Sequence, residues 1–429
     1  MKLFGKGWRL CVFAVALPVI AALPWASAQE EPVTITYWQY VFDSRVEAMD
    51  QLIAQFEAEN PGIRVIHETF PYANYEDQVA ASLPAGLGPD VVQLFYGWLG
   101  AWSRAGYIEP LPEAFFDTAA IDEAFVPMTQ AAKLDGLYYG LPTAVRSLAL
   151  FYNQDMFDEV GIEAPPSTWE EFIAAAAALT VQRGPRFERI GFGLAPGGQD
   201  HHLLREVLTR QFGTAPYSED GRSVLYGGEE GLAAFEFYLS LVTEHGVASV
   251  DFPGQETGAY RDGFAVQESI GMIFDGSFAI GTIGNRAEFT WGVTEIPVHD
   301  DGVQANFGSF WMNSLTPNAF VDEARLEASA KFLEFVTSED AMRLWLEVVG
   351  ELPARQVLIE DPELAADPIL GPFISSLAYA TATQFVDESA QRQLMVDAIN
   401  RVLINEVDPA SSWQQAAAED QALLDQFAR

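Results

Sequence analysis

Residues 136–172 read Gly-Leu-Tyr-Tyr-Gly-Leu-Pro-Thr-Ala-Val-Arg-Ser-Leu-Ala-Leu-Phe-Tyr-Asn-Gln-Asp-Met-Phe-Asp-Glu-Val-Gly-Ile-Glu-Ala-Pro-Pro-Ser-Thr-Trp-Glu-Glu-Phe, and their order decides the fold. The stretch reads as a strand, a short crossing segment and a capped helix. Ser167 and Glu170 stand where a capping pair is expected, ahead of a helix that runs through the alanine stretch to Leu179.

Upstream, the same alternation of element types appears. Val33 to Trp38 alternates as a strand does, and Ile63 to Phe70 reads as a second strand. Between them Ser44 and Glu47 form an expected capping box, and Val46, Met49, Ile53 and Phe56 recur at helical spacing. Asn60-Pro61-Gly62 stops that helix. Asp90 to Phe95 is mostly apolar, as a strand buried in a parallel sheet would be. Strands alternating with helices predict an α/β protein with a largely parallel sheet, flanked by helices, in each lobe.

Two lobes are expected from size. Lys2, Lys6 and Arg9 precede an apolar run, Leu10 to Leu23, broken by Pro18, and Ala26-Ser27-Ala28 supplies small residues for cleavage. This is an export signal, residues 1–28, processed after Ala28. Its break and its small-residue exit argue against a membrane anchor, which needs about 20 apolar residues. Cys11, the one cysteine, lies inside the signal with no small-residue–Cys pair after it, so neither a lipid anchor nor a disulfide is expected. Removing 28 of 429 residues leaves 401, more than a single core usually holds. No repeat or long linker appears, so short crossing segments should join the lobes.

Charge narrows the partners. The chain carries −38, and losing three signal-peptide cations makes the mature protein −41. Nucleic acid and anionic membrane surfaces are therefore disfavoured. Catalytic signatures are absent: no Gly-x-Ser-x-Gly, no His-Glu-x-x-His and no phosphate-cradling Gly-x-x-x-x-Gly-Lys. Gly191-Phe-Gly193 begins like a dinucleotide fingerprint but lacks the third glycine, and reads as a loop entering a helix. His201 and His202 are adjacent, hence expected on different helix faces, with no third ligand near in sequence. No cofactor or metal is expected. With 61 acids, paired carboxylates carry no information, and a glycan-cleaving enzyme would need two of them about 5–10 Å apart in a cleft.

Aromatic residues supply the positive signal. Trp38, Gln39, Tyr40 and Phe42 crowd the end of the first strand, and Tyr96 and Trp98 the end of the third. Ligands of open parallel sheets bind beyond those strand ends. Aromatic faces there suit the C–H face of a sugar ring, although any one ring taken alone is as well explained by core packing.

Motifs along nearly the whole mature length resemble the family 1 extracellular solute-binding proteins, the group that includes maltose-binding protein. The stretch quoted first resembles the family's hinge. Phe56 to Val65, Gly88-Pro-Asp-Val-Val92, Ile270 to Phe278, Trp291 to Pro297, Phe307 to Trp311, Ala328 to Gly350 and Leu352-Pro-Ala-Arg355 resemble further family segments in the same order. The resemblance implies a two-lobed periplasmic-binding-protein fold of type II-like connectivity, with a hinge between discontinuous lobes. The expected boundaries are 29–145 with 309–362 for the N-terminal lobe, and 146–308 with 363–429 for the C-terminal lobe. It further implies a monomeric, non-enzymatic, periplasmic component of an ATP-driven importer that closes over a mono- or oligosaccharide and docks on inner-membrane permease subunits.

Ligand-facing positions carried over from the family are Gln39, Tyr40, Tyr96, Trp98, Arg146, Gln199, Asp200 and Phe278, the last standing where the family usually has a sugar-stacking tryptophan. Trp311 on the second crossing is the expected replacement. Arg355 either reaches the cleft or pairs with a surface acid. Asp275 either accepts sugar hydroxyls or caps a helix before Gly276. Arg146 at the hinge keeps a second ligand class open, an anion such as glycerol phosphate or a uronate, and a second cation beside it would favour that class.

Overall fold

The computed structural model describes residues 31–252, 258–299 and 302–427, so the expected export signal with Cys11 lies outside the described residues. Strand β1, Val33–Tyr40, is the centre of the N-terminal lobe. Strand β2, Ile63–Phe70, pairs with it in parallel from Val33↔Ile63 to Tyr40↔Phe70, and β3, Val91–Phe95, lies parallel on its other side. The crossover between β1 and β2 is the helix Asp43–Glu59, which buries Ala48, Met49, Leu52, Ile53 and Phe56 against the sheet. The expected capping box is not there. Phe42 is the N-cap and no side chain caps it, because the helix starts before Ser44 and places both Ser44 and Glu47 within it.

The quoted stretch opens on a short hairpin of β4, Lys133–Leu134, and β5, Leu137–Tyr138. Asp135 and Gly136 turn it with φ of 51° and 82°, the left-handed pair that a tight hairpin requires. Strand β6 then runs 13 residues, Leu141–Asn153. A short helix, Gln154–Val160, capped by Asn153, follows directly, and the expected helix comes after it as Trp169–Leu179, one residue later than expected. Thr168, not Ser167, is the N-cap, and its box partner is Glu171 rather than Glu170. Thr168 is held extended by a bridge to Val298, so the chain enters the helix only after it.

The C-terminal lobe adds β7, Val181–Arg183, β8, Arg186–Phe192, β9, Ile270–Gly276, and β10, Trp291–Thr294. Strand β11, Asn306–Leu315, returns to the first lobe, and the short strands β12, Leu352–Pro353, and β13, Ala380–Thr381, finish the sheet. The order is β2-β1-β3-β11-β6-β9-β8-β7. The expectation of largely parallel sheets is corrected here. Among the described residues, only the strand pairs β1 with β2, β1 with β3, β8 with β9 and β11 with β13 run parallel. Strands β6 and β11 carry the chain across and back, so they pair antiparallel with each other, and each is antiparallel to long neighbours in its sheet.

Strand β6 is the shared element. Its first half, Leu141 to Ser147, pairs β11, and its second half, Leu148 to Tyr152, pairs β9. The lobes are thus joined by strands, consistent with two short crossings. The C-terminal helices Glu388–Leu403 and Pro409–Phe427 pack together, with Trp413 fully buried and stacked on Phe235 at 4.6 Å. Among the described residues, no helix is long and apolar enough to cross a membrane.

Gly191 lies in β8, not in a nucleotide loop. A Cβ there would stand 2.0 Å from the carbonyl oxygen of Ala176, so its glycine permits the helix Trp169–Leu179 to lie directly on the strand. Gly191→Ala is expected to cost about 1–3 kcal/mol through overpacking. Urea unfolding measures it, and an unchanged stability would contradict this contact.

Candidate ligand-binding cleft

The carboxyl ends of β1 and β3 and the middle of β11 meet where the lobes join. Register puts Trp311 of β11 opposite both Phe95 of β3 and Ala144 of β6. Around the indole of Trp311 stand Tyr40 at 4.3 Å, Trp98 at 5.2 Å, Phe95 at 5.9 Å and Tyr72 at 6.2 Å between ring centroids. Trp311 stays half-buried, and Tyr72, the first residue of the helix Tyr72–Ser82, is 57% exposed. The group is therefore a basket that keeps aromatic surface toward water instead of a closed core.

The other aromatic and amide candidates at these strand ends sit deeper. Tyr96 is buried and stacked on Phe310 at 4.7 Å. Gln39 is fully buried within β1, its Oε1 3.5 Å from the Tyr37 hydroxyl, which donates to Asn313 Oδ1 at 2.9 Å. Neither presents a surface for direct contact in this conformation. Trp98 is buried between Trp102 and Trp311 and supports the latter edge-on.

Charge gathers beside this basket, because Arg146 lies on the same face of β6 as Ala144, the partner of Trp311, and the Arg45 guanidinium stands 5.3 Å from the Tyr40 ring. Arg146 donates from Nε to Glu351 at 2.7 Å, and Arg45, itself buried in the first helix, binds the same carboxylate. Trp345 Nε1 donates to the other oxygen at 3.0 Å. Burial alone would raise the Glu351 carboxyl, but Arg146 and Arg45 override it and bring it from 4.5 down to about 2. Burial, reinforced by Arg146, pulls the Arg45 guanidinium down to about 10. The Arg146 guanidinium lies 5.2 Å from the ring centre of Phe278, and that of Arg261 lies 5.4 Å from the same centre. Phe278 is half-buried, so this ring with its two cations forms the C-lobe face of the hinge.

Asp275 has neither of its expected roles. It ends β9, is fully buried, and takes both nitrogens of the Arg261 fork, the Tyr260 hydroxyl and the Gly276 N–H. With those bonds its oxygens are engaged, so it positions Arg261. It does not cap the turn that follows, whose N-cap is Gly276. Asp200 is also fully buried, accepting from the Ala195 N–H and the Tyr238 hydroxyl, each at 2.6 Å. Burial, opposed by the Tyr238 hydrogen bond, pushes its carboxyl up to about 7. Gln199 beside it is half-buried. Arg355 does not reach the cleft. Its Nε donates to the Thr337 carbonyl at 2.8 Å and its guanidinium covers the Phe125 ring, because it begins a short helix, Gln356–Ile359, on the outer side of the N-lobe.

Sequence reading missed Tyr72, Phe95, Arg45, Glu351 and Arg261. Tyr72 and Phe95 lay in view, next to the residues singled out. For the Glu351 pairing no local signal exists, since its partners are 205 and 306 positions away. The two histidines, both in α conformation between two π-helical stretches, bring their rings within 3.9 Å of each other, and Glu388, far away in sequence, joins them.

This fold and cleft define a two-lobed binding protein. The sequence model of the bacterial extracellular solute-binding proteins matches residues 51–372, and the chain belongs to that family. A binding protein of Brucella abortus is 25% identical over 430 residues, covering 98% of this chain and 99% of its own. The maltotriose-binding protein of Pyrococcus abyssi is 22% identical over 81% of this chain and 72% of its own. The crystal structure of the cyclic α-maltosyl-1,6-maltose binding protein of Arthrobacter globiformis superposes with a TM-score of 0.80 at 21% identity, over 92% of this chain and 100% of that one.

Glu351→Gln leaves two buried guanidiniums without their counter-charge and is expected to cost about 3–5 kcal/mol. A loss under about 1 kcal/mol, the worth of an exposed pair, would contradict the description. Because the folded carboxyl sits below its usual value, its stabilisation is complete above pH 4.5 and disappears as pH falls to about 2. Across that window the wild type should converge on the variant in melting temperature.

Proposed function

We propose that this protein is the periplasmic, non-enzymatic binding component of an ATP-driven carbohydrate importer, closing its two lobes over a mono- or oligosaccharide and passing it to membrane permease subunits. The observation that carries this reading is the aromatic basket on Trp311. A sugar ring offers an apolar C–H face, and a half-buried indole with flanking tyrosines matches it. The neighbouring arginines Arg146 and Arg261 supply planar donors for hydroxyl pairs. The saccharides in the names of the relatives point the same way.

The lobes are proposed to divide at 145/146 and 308/309, positions supported by the register pair Arg146↔Ser309. Tyr40, Trp311, Arg146, Phe278 and Gln199 are the proposed ligand contacts, with Arg261 and Tyr72 added. Tyr96, Trp98, Gln39, Asp200 and Asp275 stand behind them. Closure is a shift of a two-state hinge toward the state in which both lobes touch the ligand.

Arg261 is the second cation beside Arg146 that an anionic ligand would need. Each guanidinium is, however, already tied to a carboxylate, Arg146 to Glu351 and Arg261 to Asp275, which favours a neutral ligand. A thermal-shift screen against neutral saccharides, uronates and sugar phosphates separates the classes. A neutral saccharide at a hundredfold excess over its Kd should add about 2.7 kcal/mol of stability. A shift with the anions alone would overturn the neutral reading.

With that saccharide, Trp311→Ala should weaken binding by about 1–3 kcal/mol while the fold is kept. Calorimetric titration measures it, and equal affinity in a folded variant would remove Trp311 from the site.

A further inference from the structure

Two imidazoles and one carboxylate at the edge of the C-lobe have no part in the saccharide reading. His201 and His202 are 1% and 6% exposed, and Glu388, the first residue of the helix Glu388–Leu403, is 7% exposed. One donor atom from each lies within 4.8 Å of the other two. His201 Nδ1 is 3.2 Å from the Pro196 carbonyl oxygen. A carbonyl only accepts, so Nδ1 carries the proton and Nε2 keeps its lone pair. That Nε2 is buried with no protein partner, and so is His202 Nδ1. Phe307 of β11 stacks on the His202 ring at 3.7 Å and 13°, which fixes its plane.

Unpartnered buried nitrogen is costly, and in native proteins it signals a missing partner. Here the partner must accept two lone pairs and a carboxylate together, which a cation does. An imidazole whose other nitrogen donates to a backbone carbonyl is how metal-binding histidines are oriented. Two histidines and one carboxylate form a three-ligand set with a position left open for water. We propose that His201, His202 and Glu388 bind one divalent transition-metal ion of the zinc class, clamping the π-helical segment to the helix Glu388–Leu403.

The surrounding charges permit it. Both imidazoles are buried, and the Pro196 carbonyl, by accepting from the His201 Nδ1–H, leaves the Nε2 lone pair free to ligate. Arg205 is engaged by Glu206 at 2.8 Å. Arg392 sits 3.7 Å from Glu388 with a partly exposed side chain, so it can yield the carboxylate to a metal. The proposal does not depend on what the main cleft binds.

The test uses tag-free protein stripped with a chelator and titrated with Zn²⁺ by calorimetry, with melting temperature as a second readout. One equivalent should bind and raise the melting temperature. Glu388→Gln and His202→Asn should each weaken binding by at least about tenfold. Co²⁺ in place of Zn²⁺ should give visible absorption that Glu388→Gln alters. If His202→Asn fails to fold, Glu388→Gln decides alone, because it keeps the shape of the side chain. Absence of one-to-one binding, or equal binding by wild type and Glu388→Gln, would overturn the proposal and assign any bound metal to surface acids.

Discussion

A single buried carboxylate, Glu351, holds together the parts of the molecule that must meet at the hinge. Its oxygens tie Arg45 of the first helix and Arg146 of β6, and the Trp345 N–H joins them. Burying three ionised groups is expensive, and the cost is met only if every partner stays in place. The consequence is geometric. Arg146 cannot wander, because Glu351 holds it from the N-lobe and its guanidinium stands 5.2 Å from the Phe278 ring of the C-lobe. The residues that stabilise this crossing therefore also line the cleft beside the aromatic basket.

The aromatic wall shows a division of labour. Tyr96 and Trp98 are used up in packing, on Phe310 and Trp102 respectively. Each such pair contributes about 0.5–1.5 kcal/mol beyond burial, and together they leave Trp311 little freedom to turn away. An indole fixed in advance loses less entropy when a ligand stacks on it. Tyr40 supports Trp311 from its buried side, and Tyr72 extends the surface toward water. The half-buried indole is thus the product of rigid neighbours, while in the C-lobe the carboxylates Asp200 and Asp275 serve as braces for Tyr238 and Arg261.

Much of this was legible in the sequence where the pattern is local. The first three strands were placed almost residue for residue, because apolar alternation and Asn60-Pro61-Gly62 mark their limits. Trp311 came into view only through the family resemblance, as the expected replacement for the stacking tryptophan whose place Phe278 takes. The sheet's mixed direction was not legible, since it follows from two strands crossing in opposite senses and pairing over more than 150 positions. Nor was Arg355, whose basic side chain has the same chemistry inside a cleft or across a phenyl ring outside it. Asp275 looked like a ligand or a cap because a carboxylate beside Gly-Ser fits both, and only the fold brings Arg261 to it. The third donor beside the histidine pair was not legible either, because Glu388 lies more than 180 positions away.

The central claim is that ligand is held between both lobes. The processed chain is expected to lack cysteine, so cysteines placed at the exposed positions Gln55 and Glu236, one in each lobe, would be the sole sites for spin labels. The distance between them, measured by pulsed electron resonance with and without the stabilising saccharide, tests the claim most directly. A shorter distance on binding in the wild type, and no shortening in Trp311→Ala at the same saccharide concentration, is the result this structure predicts. Tight saccharide binding with an unchanged distance would contradict it.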